Sequence, residues 1–160
     1  MKLSDIPKKT KTFWYALGEK TCNMIRDRVQ KKHKNVYNES FAKYDENYAK
    51  LKSQSKAAAR GQSQQSTSIT PDMTLTGKTM SDLKVINATE KSVTLGWIGI
   101  FAGIIESLYG RKNYKVVNIS GSGDPLAKNE MDMIMKSIKG DIDKKIKSYC
   151  KTPIIIKVGI

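Results

Sequence analysis

DLKVINATEKSVTLGW, residues 82–97, is written in two alternating halves. Leu83, Val85 and Asn87 take every second position of the first half; Val93, Leu95 and Trp97 do so in the second. Successive side chains of a strand point to opposite faces, so each half offers one face to a core and one to water. Residues 87–91 between the halves carry the turn. The stretch is expected to form an antiparallel hairpin. On both sides of it the apolar period lengthens from two to about 3.6, the period of a helix.

Upstream, Phe13, Leu17, Met24, Ile25 and Val29 recur mostly at three- and four-residue spacings, predicting a helix from residue 12. The run 31–34, which includes His33, ends it with positive charge at its negative pole. Downstream, residues 98–109 read as an apolar helix stopped by Gly110, and 113–119 as an extended segment leading into SGSG at 120–123. The last helix has Asp124 as N-cap and Pro125 in its first turn. Its apolar stripe is Met131, Ile134, Met135, Ile138, Ile142, Ile146 and Tyr149. TPIIIKVGI, residues 152–160, opens on proline and continues in β-branched residues, which favours a strand. The fold class is therefore α+β: a small antiparallel sheet, hairpin plus C-terminal strand, packed against two to four helices. Residues 1–11 are expected to be a flexible basic arm, and 12–160 a single domain with an extended loop at about 61–71.

Between the first helix and the hairpin lie two unlike segments. Residues 35–56 are aromatic-rich (Tyr37, Phe41, Tyr44, Tyr48), and 46–60 contain enough Ala and Lys for a helix. GQSQQSTSIT, residues 61–70, has no charge and almost nothing apolar, so it reads as a loop or linker, disordered when the protein is alone.

The charge is uneven. The chain has 160 residues and a net charge of +14, from 29 Lys and Arg against 15 Asp and Glu. Residues 1–60 hold 15 of the basic and 6 of the acidic groups. Such a field favours polyanions or acidic protein surfaces and opposes self-association through the charged face. Lys8, Lys9, Lys11, Arg26, Arg28, Lys31, Lys32 and Lys34 are the candidate contacts for such a partner. No apolar run approaches the roughly 20 residues that span a bilayer, and the basic start lacks an apolar core behind it, so neither a membrane partner nor secretion is expected.

Catalytic chemistry finds little support. The single histidine, His33, sits in a lysine cluster and reads as a solvated surface residue. Cys22 and Cys150 lie far apart, without metal spacing, and read as reduced structural thiols. Glu130, Asp132, Asp141 and Asp143, interleaved with lysines, read as a mixed-charge outer helix face, not a metal cluster. SGSG before a helix is not in a strand–GxxxxGK[ST]–helix order, so it reads as a connector. No cofactor is expected, and the chain is read as not an enzyme.

Two further stretches carry a resemblance. FAKYDENYAKLK, 41–52, supplies Phe41, Tyr44, Tyr48, Ala49 and Lys52; MTLTGKTMSDLKV, 73–85, supplies Leu75, Thr76, Gly77, Met80, Leu83 and Val85; Thr94, Leu95 and Gly96 follow. In that order they resemble the virion morphogenesis proteins of tailed bacteriophages, the tail-completion or head–tail joining family. The Pro-x-Arg-x-Phe-Leu segment often found before that family's last helix is replaced here by YKVVNI at 114–119. The resemblance implies a noncatalytic neck, tail-completion or tail-terminator subunit that forms a hexameric or dodecameric ring at the head–tail junction of the virion, and in the host cytoplasm during assembly. Its partners would be copies of itself and neighbouring portal, neck or tail proteins, with nonspecific contact to channel DNA. Phe41, Tyr44, Tyr48 and Lys52 are the candidate subunit contacts. The alternative is a small basic protein that binds nucleic acid nonspecifically.

Overall fold

The computed structural model describes residues 9–109, 116, 117 and 126–150. The elements are α1 (Lys11–Arg26), a π-helical turn (Asp27–Lys31), α2 (Glu46–Ser53), α3 (Lys78–Ser81), β1 (Lys84–Ala88), β2 (Val93–Gly96), α4 (Ile100–Tyr109) and α5 (Lys128–Cys150). Helices and a two-stranded antiparallel sheet make an α+β fold. Of the arm expected at 1–11, residues 1–8 lie outside the described residues, while Thr10 and Lys11 belong to the start of α1; Asp124, Pro125, most of 113–119 and the terminal strand at 152–160 also lie outside them.

The hairpin forms, with one change. β1 and β2 pair Lys84 with Gly96 and Val85 with Leu95; after a bulge the register resumes at Asn87 with Thr94 and Ala88 with Val93. The extra residue, Ile86, shifts the alternation by one. Ala88 is therefore buried and Asn87 exposed, contrary to the simple every-second-residue reading. The turn sits at 89–92, closed by Thr89, whose Oγ1 accepts from the backbone of Lys91 and Ser92 at 3.1 and 3.0 Å.

α1 lies directly beneath this hairpin. Thr10 caps it, accepting from the Phe13 N–H at 3.1 Å. Gly18 stands where the approach is closest. A Cβ there would come within 2.7 Å of Val93 Cγ2 and 2.8 Å of Val85 Cγ2. Polar bonds tie both ends of the contact. Trp14 Nε1 donates to the Glu90 carbonyl at 2.8 Å, and Arg26 donates to the carbonyls of Met80 and Leu83. Beyond Arg26 the helix widens into its π turn, which places two successive residues, Arg28 and Val29, inside. His33, at φ +54°, ends the helical path. The core gathers Cys22, Ile25 and Val29 with Phe41, Met80, Leu83, Ile105 and Val116.

Several expectations need correction. The helix read over 46–60 stops at Ser53: Ser55 takes a left-handed φ of +58°, and the Ala57 N–H bonds to Gln64. Residues 78–81, for which no helix was expected, form the short α3 after Gly77, whose φ is +75°. α4 begins at Ile100, because Gly99 at φ +62° breaks the path from the strand. α5 begins at Lys128. Of its expected stripe, Met131, Ile134, Ile138 and Ile142 are half-buried, but Met135 is 61% exposed.

Candidate assembly surface

The aromatic–lysine stretch builds a buried polar network. Asp45 caps α2, accepting from the Asn47 and Tyr48 N–H groups at 3.0 and 3.4 Å. One helical turn apart, Tyr48 and Lys52 then share a face, and Tyr44 leans on it from the preceding loop. The Tyr44 and Tyr48 rings meet edge to face with centroids 4.9 Å apart. Lys52 is fully buried; its Nζ lies 2.7 Å from Asp72 Oδ1 and 3.3 Å from Tyr44 Oη. Asp72 is completed by the Thr74 N–H at 2.9 Å and the Ser66 hydroxyl at 2.5 Å. Burial pushes the Tyr48 phenol up from its ordinary value, with the neighbouring Tyr44 adding to the shift and Lys52 opposing it.

This network straps down the uncharged loop. Gln64 Nε2 donates to the carbonyls of Lys52 and Ser66 at 2.6 and 2.7 Å, and the Gln65 N–H donates to the Leu75 carbonyl at 2.8 Å. Residues 61–70 are irregular, as expected. Their polar side chains supply the bonds that a strand or helix would otherwise provide. Of the four candidate subunit contacts, Phe41 and Lys52 are therefore interior residues, while Tyr44 and Tyr48 keep partial exposure.

The candidate polyanion contacts also divide. Arg28 is only 2% exposed and does not belong to an outer face. It holds Glu130 through Nε at 2.7 Å and Nη2 at 3.4 Å, and it donates to the carbonyls of Lys34 and Val116. Glu130 in turn accepts from the Ala127 N–H at 3.0 Å, so one carboxylate caps α5 and neutralises Arg28. Reading Glu130 as part of an outer charged face is thus corrected. Arg26 is turned onto backbone carbonyls, and Lys9 reaches the Ile138 carbonyl at 3.4 Å. Lys11, Lys31 and Lys32 are exposed, Lys31 being paired with Asp27 at 2.7 Å; Lys34 is half-buried, and Lys8 lies outside the described residues. His33, expected on the surface, is half-buried, with Nδ1 enclosed and without a hydrogen-bond partner.

What the sequence reading missed is an exposed apolar surface. Ile100 is 75% exposed, Ile98 51% and Ile104 40%. Ile100 and Ile104 stand one helical turn apart, and a Cβ built on Gly103 between them would meet nothing within 4 Å. Residues 92–105 carry no charged side chain. The signal available was that the first six positions of α4, 100–105, are all apolar or glycine, more than one core contact requires. Among the described residues, no group of three or more His, Cys, Asp or Glu is placed to hold a metal ion, and no helix is long and apolar enough to cross a membrane. No protein-family model matches the chain, and neither a curated protein nor a solved structure matches it.

Proposed function

We propose that this chain is a noncatalytic structural subunit of a tailed-phage particle, a ring-forming head–tail joining, neck or tail-completion protein. The observation that carries the reading is the uncharged surface of Ile98, Ile100 and Ile104 on a chain of net charge +14. Like charge opposes self-association across the lysine-bearing surface, so copies that meet would do so where charge is absent, as on this face. The stretches that resemble the phage family support it from another direction. Tyr44 and Lys52 spend their polar groups on Asp72 and so brace the loop before it, with the Tyr48 ring packed against Tyr44, as a rigid subunit would need. In a ring, the exposed lysines would face acidic patches of adjacent portal or tail proteins, with channel DNA a secondary contact.

Sedimentation of the purified protein across a concentration series tests this. A discrete oligomer that Ile100→Asp reduces to monomer is expected; a wild-type monomer throughout would contradict the reading. The nucleic-acid alternative keeps Lys11, Lys31 and Lys32 as exposed cations. Tight duplex-DNA binding with a steep salt slope, without oligomers, would favour it.

A further inference from the structure

We propose that copies of this chain join head to tail, the Ile98, Ile100 and Ile104 ridge of one copy seating in an apolar trench between β2 and α5 of the next. The inference rests on the self-association proposed above and names the surface on which the outer face of α4 docks. Three observations carry it.

The first is the trench itself, a half-open cavity of about 370 Å³. Leu17 and Ile25 of α1 form its floor, Val93 and Leu95 of β2 one wall, and Met131 and Ile134 of α5 the other. The four wall residues are half-exposed, so the trench opens to the outside. Its size falls at the lower end of the roughly 300–1,000 Å³ in which pockets bury a ligand. Among the described residues, no charged side chain lines it.

The second is the chemistry of the lining. Three of the described lining residues carry a side-chain nitrogen or oxygen, and each donor is already spent within the chain. Trp14 Nε1 donates to the Glu90 carbonyl at 2.8 Å, Trp97 Nε1 to the Thr79 carbonyl at 2.7 Å, and the Thr21 hydroxyl to the Leu17 carbonyl at 2.8 Å. A small-molecule site keeps a few polar groups in hand to orient its ligand. This lining keeps no donor in hand, so it suits an occupant that is wholly apolar, such as branched aliphatic side chains.

The third is that the same chain displays such an occupant. Ile98, Ile100 and Ile104 are exposed, and none of them lines the trench, so ridge and trench are separate surfaces of one subunit. Residues 92–105 and the described trench lining carry no charged side chain. These are places where chains of net charge +14 can meet without repulsion. A ridge-to-ridge contact would be two-fold, closing at two copies and leaving the trench unfilled. Contact between two different surfaces is heterologous instead. Each copy then gives its isoleucines to one neighbour and its trench to the other, and a constant rotation closes the set into a ring.

In the full chain, Ile100→Asp damages the ridge and Ile134→Glu the trench. Each variant alone is expected to sediment as a monomer where the wild type is an oligomer. Mixed in equal amounts they retain one intact ridge and one intact trench, and are expected to form a pair of one copy each and nothing larger. An Ile134→Glu protein that assembles like the wild type, or a mixture that stays monomeric throughout, overturns the docking while self-association stands. A wild type that is itself monomeric removes both. A second measurement covers the case in which Ile134→Glu unfolds the protein. Trp14 and Trp97 line the trench, and Ile100→Asp leaves that lining unaltered. The assembled wild type is expected to emit further to the blue, and to be quenched less by acrylamide, than Ile100→Asp at the same concentration. Equal emission and equal quenching, with the wild type assembled, overturn the proposal.

Discussion

Lys52 and Asp72 are a buried pair of opposite charges, and removing one member leaves the other stranded in a low-dielectric interior. Lys52→Met is therefore expected to cost about 3–5 kcal/mol in urea unfolding. Asp72→Asn in the same background should cost less than it does alone, since the stranded carboxylate is gone. A loss below about 1 kcal/mol for Lys52→Met would show that water reaches the pair. Cys22 offers a pH test. Burial pushes its thiol up to about 11 from 9.0, with Arg26 partly opposing the shift. The unfolded chain ionises this thiol first, so its contribution to stability is complete below pH 9.0 and is lost as pH rises to about 11. Cys22→Ala should flatten the decline of stability across that window, and the native thiol should resist labelling at pH 8. An identical decline in wild type and variant would refute the assignment. Neither ion pair was legible in the sequence. Arg28 and Glu130 lie 102 positions apart, and each looks locally like one more surface charge. Charge type and spacing report helix faces, not which long-range partner will neutralise a buried group.

Elements were read best where the period was clean. The hairpin follows from alternation alone, and α1 from its three- and four-residue spacing. The bulge at Ile86 was invisible because one inserted residue leaves the composition unchanged while moving Ala88 inward. α2 ends early for a related reason. Ala and Lys favour helix throughout 46–60, but Gln64 captures the Ala57 N–H from across the loop. The junction of α1 and the hairpin is the place to test packing. Gly18→Ala puts a methyl within 3 Å of two β-branched side chains on neighbouring strands, a side-chain type that is stiff at χ1. The expected loss is about 1–3 kcal/mol in denaturant unfolding, with the far-UV spectrum retained. A neutral Gly18→Ala would mean that the sheet rides higher on α1 than described here.

At the scale of the whole molecule, the α+β class was legible, and the division between interior and surface charge was not. Among the basic residues of the first third, Arg26 and Arg28, read as contacts for a polyanion or acidic partner, and Lys52, read as a subunit contact, are instead turned inward as fasteners. The uncharged outer face of α4 drew no attention in the sequence, because an unbroken apolar run such as 100–105 reads as core until a neighbour fails to cover it. With copies of the chain meeting there, double substitution Ile100→Asp and Ile104→Asp should abolish assembly while leaving the urea midpoint near wild type, as expected for surface positions. Unfolding at a lower midpoint would instead place these residues in the monomer's own packing. Peptide mapping by mass spectrometry of gradient-purified phage particles, from cells that carry the gene for this chain, is the most direct test of a particle subunit. The account predicts its peptides in the particle fraction at a fixed multiple of the tail-junction components. Their absence from the particles, with the protein abundant in the lysate, would contradict it.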